Sequence, residues 1–291
     1  MTDVHQLEHW IDLGRGYERR GQWLHAIQFY RRALEADIGR LDVRVRLAVV
    51  YSELGDLCAA EQILLQALGR ESTPEAVLSA LAMLFYRYGD DARAGYYFEK
   101  LLPYNPLDAH VFLGLLAARK GDDAEAEQRY RRALMVNETD ERVRFLLAET
   151  LLRAGKADQA DAVLNASPAV PPEDWRKEYY RGAVLVAREQ WQEARAVFDR
   201  LVMLRPEDID ILCASAVVYL RLQDTEKADI LLRQAARISP DAPQVLDGKG
   251  LLALARGHRM KALTYFRRAL DADPTDIRAL EHVRLLTCSR Q

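Results

Sequence analysis

Glycine and proline are scarce in this sequence, 15 and 10 of 291 residues. A chain built of β-strands needs both at its tight turns, so their scarcity argues against an all-β fold. Cysteine is scarcer still. Cys58, Cys213 and Cys288 are an odd number and widely scattered, which makes neither a disulfide framework nor a zinc site and suits a reducing compartment. No charge predominates: 41 Lys and Arg against 44 Asp and Glu leave a formal net charge of −3. Nucleic-acid and membrane-surface binding usually need a basic excess, so neither is expected. No uncharged apolar run approaches the roughly 18 residues that span a bilayer. The opening Met1-Thr2-Asp3-Val4-His5-Gln6 has neither the basic nor the apolar region of a signal peptide. The expectation is a cytoplasmic protein without membrane insertion, or a periplasmic one if the sequence is trimmed from a longer chain.

What is present is helix-forming material, with 49% hydrophobic and 29% charged residues and long stretches of Ala, Leu, Arg and Glu. It repeats. Taking Leu7 as position 1, further units start at Leu41, Glu75, Leu107, Glu141, Trp175, Ile209 and Pro243, seven of 34 residues and the third of 32. Position 8 is Gly14, Ala48, Ala82, Gly114, Ala148, Gly182, Ala216 and Gly250. Position 20 is Ala26, Ala60, Ala94, Ala126, Ala160, Ala194, Ala228 and Ala262. Small residues kept at two fixed places mark a close crossing of two helices. Position 24 supplies a large side chain to fill the adjacent space: Tyr30, Leu64, Phe98, Tyr130, Leu164, Phe198, Leu232 and Phe266. Position 32 is Pro106, Pro172, Pro206, Pro240 and Pro274 in five units, where proline stops one helix and opens the next unit.

The first unit, Trp10-Ile11-Asp12-Leu13-Gly14 running on to Tyr17, Ala26 and Tyr30, resembles the tetratricopeptide signature W-x2-L-G-x2-Y…A-x3-F, with its period of about 34. The resemblance implies an all-α fold, a right-handed superhelical solenoid of eight helix–turn–helix units over 7–276. A leader of six residues would precede it, and a capping helix with tail, 277–291, would follow. Position 27 departs from the family's Ala at Leu101, Ser167 and Leu201. The stretch Asn165-Ala166-Ser167-Pro168-Ala169-Val170-Pro171-Pro172 cannot be helical throughout, so the second helix of the fifth unit should be short and an extended strap should follow it. Beyond Asp276, Ile277, Leu280, Val283 and Leu286 recur at helical spacing, as a helix covering the last unit requires. No such cap precedes residue 7, which leaves the N-terminal edge open.

Catalysis finds little support. His5 and His9 share a helix face without a third ligand, and no cysteine lies in a nucleophile motif. Gly55, Gly89, Gly121 and Gly155 fall at turns between helices and form no phosphate-binding loop. No metal or cofactor is expected.

Family geometry implies that positions 2, 5, 9, 12 and 13 of each first helix line an inner groove. The Asn and Lys that relatives use to clamp chaperone tails are missing from positions 9 and 5. Instead Met83, Tyr86, Leu115, Phe145, Leu152 and Tyr179 offer an apolar floor. Arg19, Arg87, Arg119, Arg153 and Arg221 occupy position 13, either as a ladder for acidic side chains or as cations suited to the end of a helix dipole. The expected function is a non-enzymatic scaffold that takes an amphipathic protein or peptide segment with acidic residues. Its Arg-, Ala- and Leu-rich composition is of a bacterial kind, and the resemblance permits a secretion or assembly role. The alternatives are self-assembly through the N-terminal edge and the regulatory part of a larger enzyme or transporter.

Overall fold

A computed structural model describes residues 4–68, 75–166, 174–274 and 277–288. Among these there are 17 α-helices and no strand. The chain forms two compact units, Met1–Glu138 and Thr139–Gln291. The first holds four hairpins: α1 (Val4–Arg19) with α2 (Trp23–Ala36), α3 (Leu41–Glu53) with α4 (Leu57–Leu68), α5 (Glu75–Arg87) with α6 (Asp91–Leu101), and α7 (Pro106–Arg119) with α8 (Asp123–Val136). The second holds four more and a last helix. They are α9 (Glu141–Arg153) with α10 (Ala157–Asn165), α11 (Trp175–Ala187) with α12 (Trp191–Leu204), α13 (Ile209–Arg221) with α14 (Thr225–Ile238), α15 (Pro243–Ala255) with α16 (Arg259–Ala272), and α17 (Ile277–Cys288). Six of the eight expected starts coincide with a helix start. The others are early: α7 opens at Pro106, and α1 at Val4, inside the expected leader.

The crossing inside each hairpin is the tightest contact. All eight alanines of position 20 are 0% exposed, and position 24 is at most 4% exposed throughout. A Cβ built on Gly14, Gly114 or Gly250 would lie 2.5, 2.5 or 2.4 Å from the ring of Tyr30, Tyr130 or Phe266, and one on Gly182 would lie 2.9 Å from that of Phe198. Glycine therefore faces an aromatic ring, and alanine faces leucine in the Ala48–Leu64, Ala148–Leu164 and Ala216–Leu232 pairs. Ala82 with Phe98 is the exception, and there the Phe98 ring stacks at 4.9 Å on Phe112 of the next hairpin.

Between the two helices, position 15 takes left-handed backbone in every hairpin. Six of these residues are glycine, but Glu189 (φ 57°) and Gln223 (φ 64°) adopt the same conformation against their Cβ atoms. Aspartates start several helices by accepting a backbone N–H: Asp90, Asp122, Asp140, Asp174, Asp208 and Asp224. As expected, α10 is short, nine residues against 11 to 14 in the other second helices. The strap Pro168–Pro172 lies outside the described residues.

Hairpins stack through position 3 of the first helix, which is 0% exposed at Val43, Val77, Ala109, Ile211, Val245 and Ala279. The first hairpin differs: His9 is exposed at this position, and Gly16 stands where later helices carry Val50, Leu84 and Leu116. Leu13, at position 7, thus stands between two non-apolar positions of α1. The closing helix covers the last hairpin as expected through Ala279, buried with Leu246 and Ala269, and through Val283 and Leu286, packed against the cluster of Phe266, whereas Leu280 of the expected row is 48% exposed.

Two stability predictions follow from these contacts. Gly182→Ala and Phe198→Leu should each destabilise by about 1–3 kcal/mol, one by overpacking and one by leaving a gap. Together they recreate the alanine–leucine pairing and should cost less than their sum; strict additivity in denaturant melts would refute the pairing rule. Glu189→Gly or Gln223→Gly should relieve backbone strain and stabilise by up to about 1 kcal/mol. An unmoved or lowered thermal midpoint would show that the strain is absent.

Candidate functional site

Within each unit the first helices of successive hairpins pack on one another: α3 on α5, then α9 on α11, α11 on α13 and α13 on α15. The second helices show no comparable mutual packing, so the first helices form one layer of each unit, and positions 5, 9, 12 and 13 are those the family resemblance assigns to its inner face.

In the first unit the inner face carries Val49, 38% exposed, with Met83, Tyr86 and Leu115 half-buried beside it. Tyr86 is held edge-on to Phe112 (centroids 5.3 Å) and Phe98 (6.3 Å), which leaves one ring face for the Arg119 guanidinium at 4.5 Å. The arginines of this face are exposed but engaged. Arg87 pairs with Glu53 of the preceding hairpin at 2.6 Å, and Arg119 with Asp91 at 2.7 Å. Arg46 reaches Glu18 at 3.4 Å. Each of these pairs ties neighbouring hairpins together and leaves further guanidinium N–H groups for a ligand.

The second unit differs in chemistry. Phe145 is only 7% exposed and stacks at 5.2 Å on Tyr180, so its ring is packing and little of it is contact surface. Tyr179 stands edge-on to Tyr180 and to Phe198 (5.5 and 5.9 Å), half-buried. Burial, then the charges of Asp210 and Glu149, push its phenol up to about 12. Cys213 is 6% exposed, and burial, then Asp210 and Asp247, push its thiol up to about 12, which makes it a poor nucleophile at neutral pH. Arg153 lies 3.9 Å from Glu149 of its own helix, and Arg221 lies 5.6 Å over the Trp191 ring. The nine expected residues therefore fall into two sets. Met83, Tyr86, Arg87, Leu115 and Arg119 lie in the first unit, where Arg119 sits over the Tyr86 ring, and Phe145, Arg153, Tyr179 and Arg221 lie in the second. The sequence reading missed Glu53 and Asp91, the acids that engage the arginines, and Tyr180, at position 6. An acid at position 13 or 17 of one hairpin with Arg at position 13 of the next was the available signal.

Among the described residues no group of three or more His, Cys, Asp or Glu is arranged to hold a metal, and no described helix is long and apolar enough to cross a membrane. One buried group stands out. His110 of α7 has its Nδ1 buried without a hydrogen-bond partner, between Glu99 of α6 and Arg129 and Arg132 of α8. Burial, then the two arginines, hold its imidazole below the usual 6.5, against the opposing pull of Glu99.

A sequence profile described as tetratricopeptide repeat matches residues 19–84, 115–181 and 185–252, more than half of the chain. The BBSome complex member BBS4 of Bos taurus is 25% identical over 134 residues, 46% of this chain and 26% of that protein. Tetratricopeptide repeat protein 7B of Homo sapiens is 25% identical over 126 residues, 43% of this chain and 15% of its own. The chain thus spans about a quarter or less of the curated relatives it matches. Among solved structures, the Cut9–Hcn1 hetero-tetramer of the APC/C is similar in fold, with a TM-score of 0.60, 19% identity and 91% of this chain against 52% of that one. Yeast Tom70 gives a TM-score of 0.58 at 16% identity, over 94% of this chain and 60% of its own. At such identities these likenesses concern the fold alone.

His110 generates a pH prediction. Its folded pKa lies below the unfolded 6.5, so the unfolded chain binds the extra proton first. The stability associated with a neutral His110 is complete above pH 6.5 and declines as pH falls through that value. Denaturant melts from pH 7.5 down to about 5 should show this decline, and His110→Asn should flatten it. Equal slopes in the two proteins would exclude His110 as the source.

Proposed function

The chain belongs to the tetratricopeptide repeat family, and from that premise we propose that it is a non-enzymatic scaffold holding an amphipathic protein segment against the inner face of its hairpins. The observation that carries this reading is the inner face of the first unit. Val49, Met83, Tyr86 and Leu115 make a partly exposed apolar strip, and Arg87 and Arg119 border it with guanidinium donors to spare. A helix or extended segment with apolar residues on one side and acids on the other fits such a strip. The arginines act as selectors: they favour acidic residues at the rim and repel basic ones. Tyr179 and Tyr180, with Glu149 and Asp210 nearby, give the second unit a face of different character, so the two units need not hold the same part of a partner. We infer a bacterial setting from composition, and an assembly or secretion process is one that the family resemblance permits.

A partner recovered from the host should be titrated against wild type, Tyr86→Ala, and the double variant Arg87→Ala with Arg119→Ala, each first shown to be folded. Tyr86→Ala should cost about 2 kcal/mol, because a packed aromatic supplies the larger share of such binding. The arginine variant should cost less and its deficit should shrink with added salt. Unchanged affinity in both variants would place the partner on another surface.

A further inference from the structure

The closing helix α17 is in repeat register: Ile277 follows Pro243 by 34 residues, so α17 is the first helix of a ninth unit. In the other eight units position 8 is glycine or alanine, which lets the second helix of the same hairpin approach, and positions 4 and 11 lie on either side of it along the helix. In α17 these positions are Leu280, Arg284 and Thr287, all exposed. An arginine at position 8 is larger than the close crossing inside the other hairpins admits. Its outer face is exposed: Leu280 is 48% and Leu285 65% exposed, with Glu281 and Arg284 exposed between them. Glu281 and Arg284 make no ion pair among the described residues.

This order of residues is self-complementary. Two copies of α17 laid antiparallel about a two-fold axis midway between residues 282 and 283 put Leu280 opposite the second copy's Leu285. The same axis puts Glu281 opposite the second copy's Arg284, and each pairing occurs twice. An isologous contact needs this property, in which residue i meets j and j meets i. At the usual 8–10 Å between helix axes, Arg284 is accommodated beside a facing glutamate, whereas the tighter crossing inside a hairpin excludes it. We propose that the outer face of α17 docks a second copy of this chain, antiparallel, through Leu280, Glu281, Arg284 and Leu285. The twelve residues of α17 extend about 18 Å, and a contact of that length buries less than the roughly 1,200 Å² of a stable complex. The dimer is therefore weak, with a Kd of about micromolar or above.

Sedimentation equilibrium of the full chain over a range of concentrations, with a reducing agent to exclude Cys288 disulfides, tests this. The wild type should show a monomer–dimer equilibrium, and Leu280→Glu with Leu285→Glu should abolish it. Glu281→Arg alone and Arg284→Glu alone should each weaken association about tenfold or more, since each places like charges opposite one another twice. An equimolar mixture of those two single variants should associate again, because one carries two cations where the other carries two anions. All four substitutions are at exposed positions, and circular dichroism confirms that the helices are retained. A wild type that stays monomeric at every concentration overturns the proposal. So does a mixture that associates no better than either variant alone, or a dimer indifferent to all the substitutions.

Discussion

The structure depends on how closely the two helices of each hairpin cross. Where position 8 has no side chain, an aromatic ring from position 24 lies on the backbone of the facing helix, as Phe266 does at Gly250. Where position 8 has a methyl group, a leucine replaces the ring in three of four hairpins. The sum of the two volumes is held nearly constant while their division varies, as interiors packed at crystal density demand. The alanine at position 20 completes the contact from the other helix and never shows any surface.

A hairpin built this way spends its largest side chains on itself and keeps a second apolar row, at positions 3, 7 and 10, that only a neighbour can cover. Stacking follows, and with it the nearest-neighbour character of the fold. The rows also show where stacking weakens. Lys177 and Arg181 stand at positions 3 and 7 of the sixth hairpin, beside the shortened α10, where the second to fifth hairpins carry Val or Ala and Leu. His9 and Gly16 mark the first hairpin in the same way, and Arg284 marks the last helix on its opposite side.

The inner layer is what remains after both packing demands are met, and its residues are free to vary from hairpin to hairpin. In the first unit they form an apolar strip edged by arginines that bridge to Glu53 and Asp91. In the second they form an aromatic cluster whose phenols lie near carboxylates. A scaffold gains selectivity from this variation, because the segment it holds must match a particular succession of apolar, basic and acidic positions.

The repeat register, the eight hairpins, the short α10 and the role of α17 were all legible in the sequence, because each rests on residue size or backbone freedom at a fixed position. Small residues at positions 8 and 20 have no other purpose than a close crossing, and proline and glycine act locally. The candidate site was only half legible. Met83, Tyr86 and Leu115 follow from register alone, but whether a position-5 residue is surface or core depends on what the next hairpin sets against it. Phe145 is covered because Tyr180, one residue outside the expected inner positions, stacks on it. Likewise the arginines could be placed by register, whereas their engagement by Glu53 and Asp91 depends on distances across hairpins 28 to 34 residues apart. Local size and conformation are written in the sequence. Which exposed groups meet is decided when the hairpins stack, because that step sets the distances on which burial and ion pairing depend.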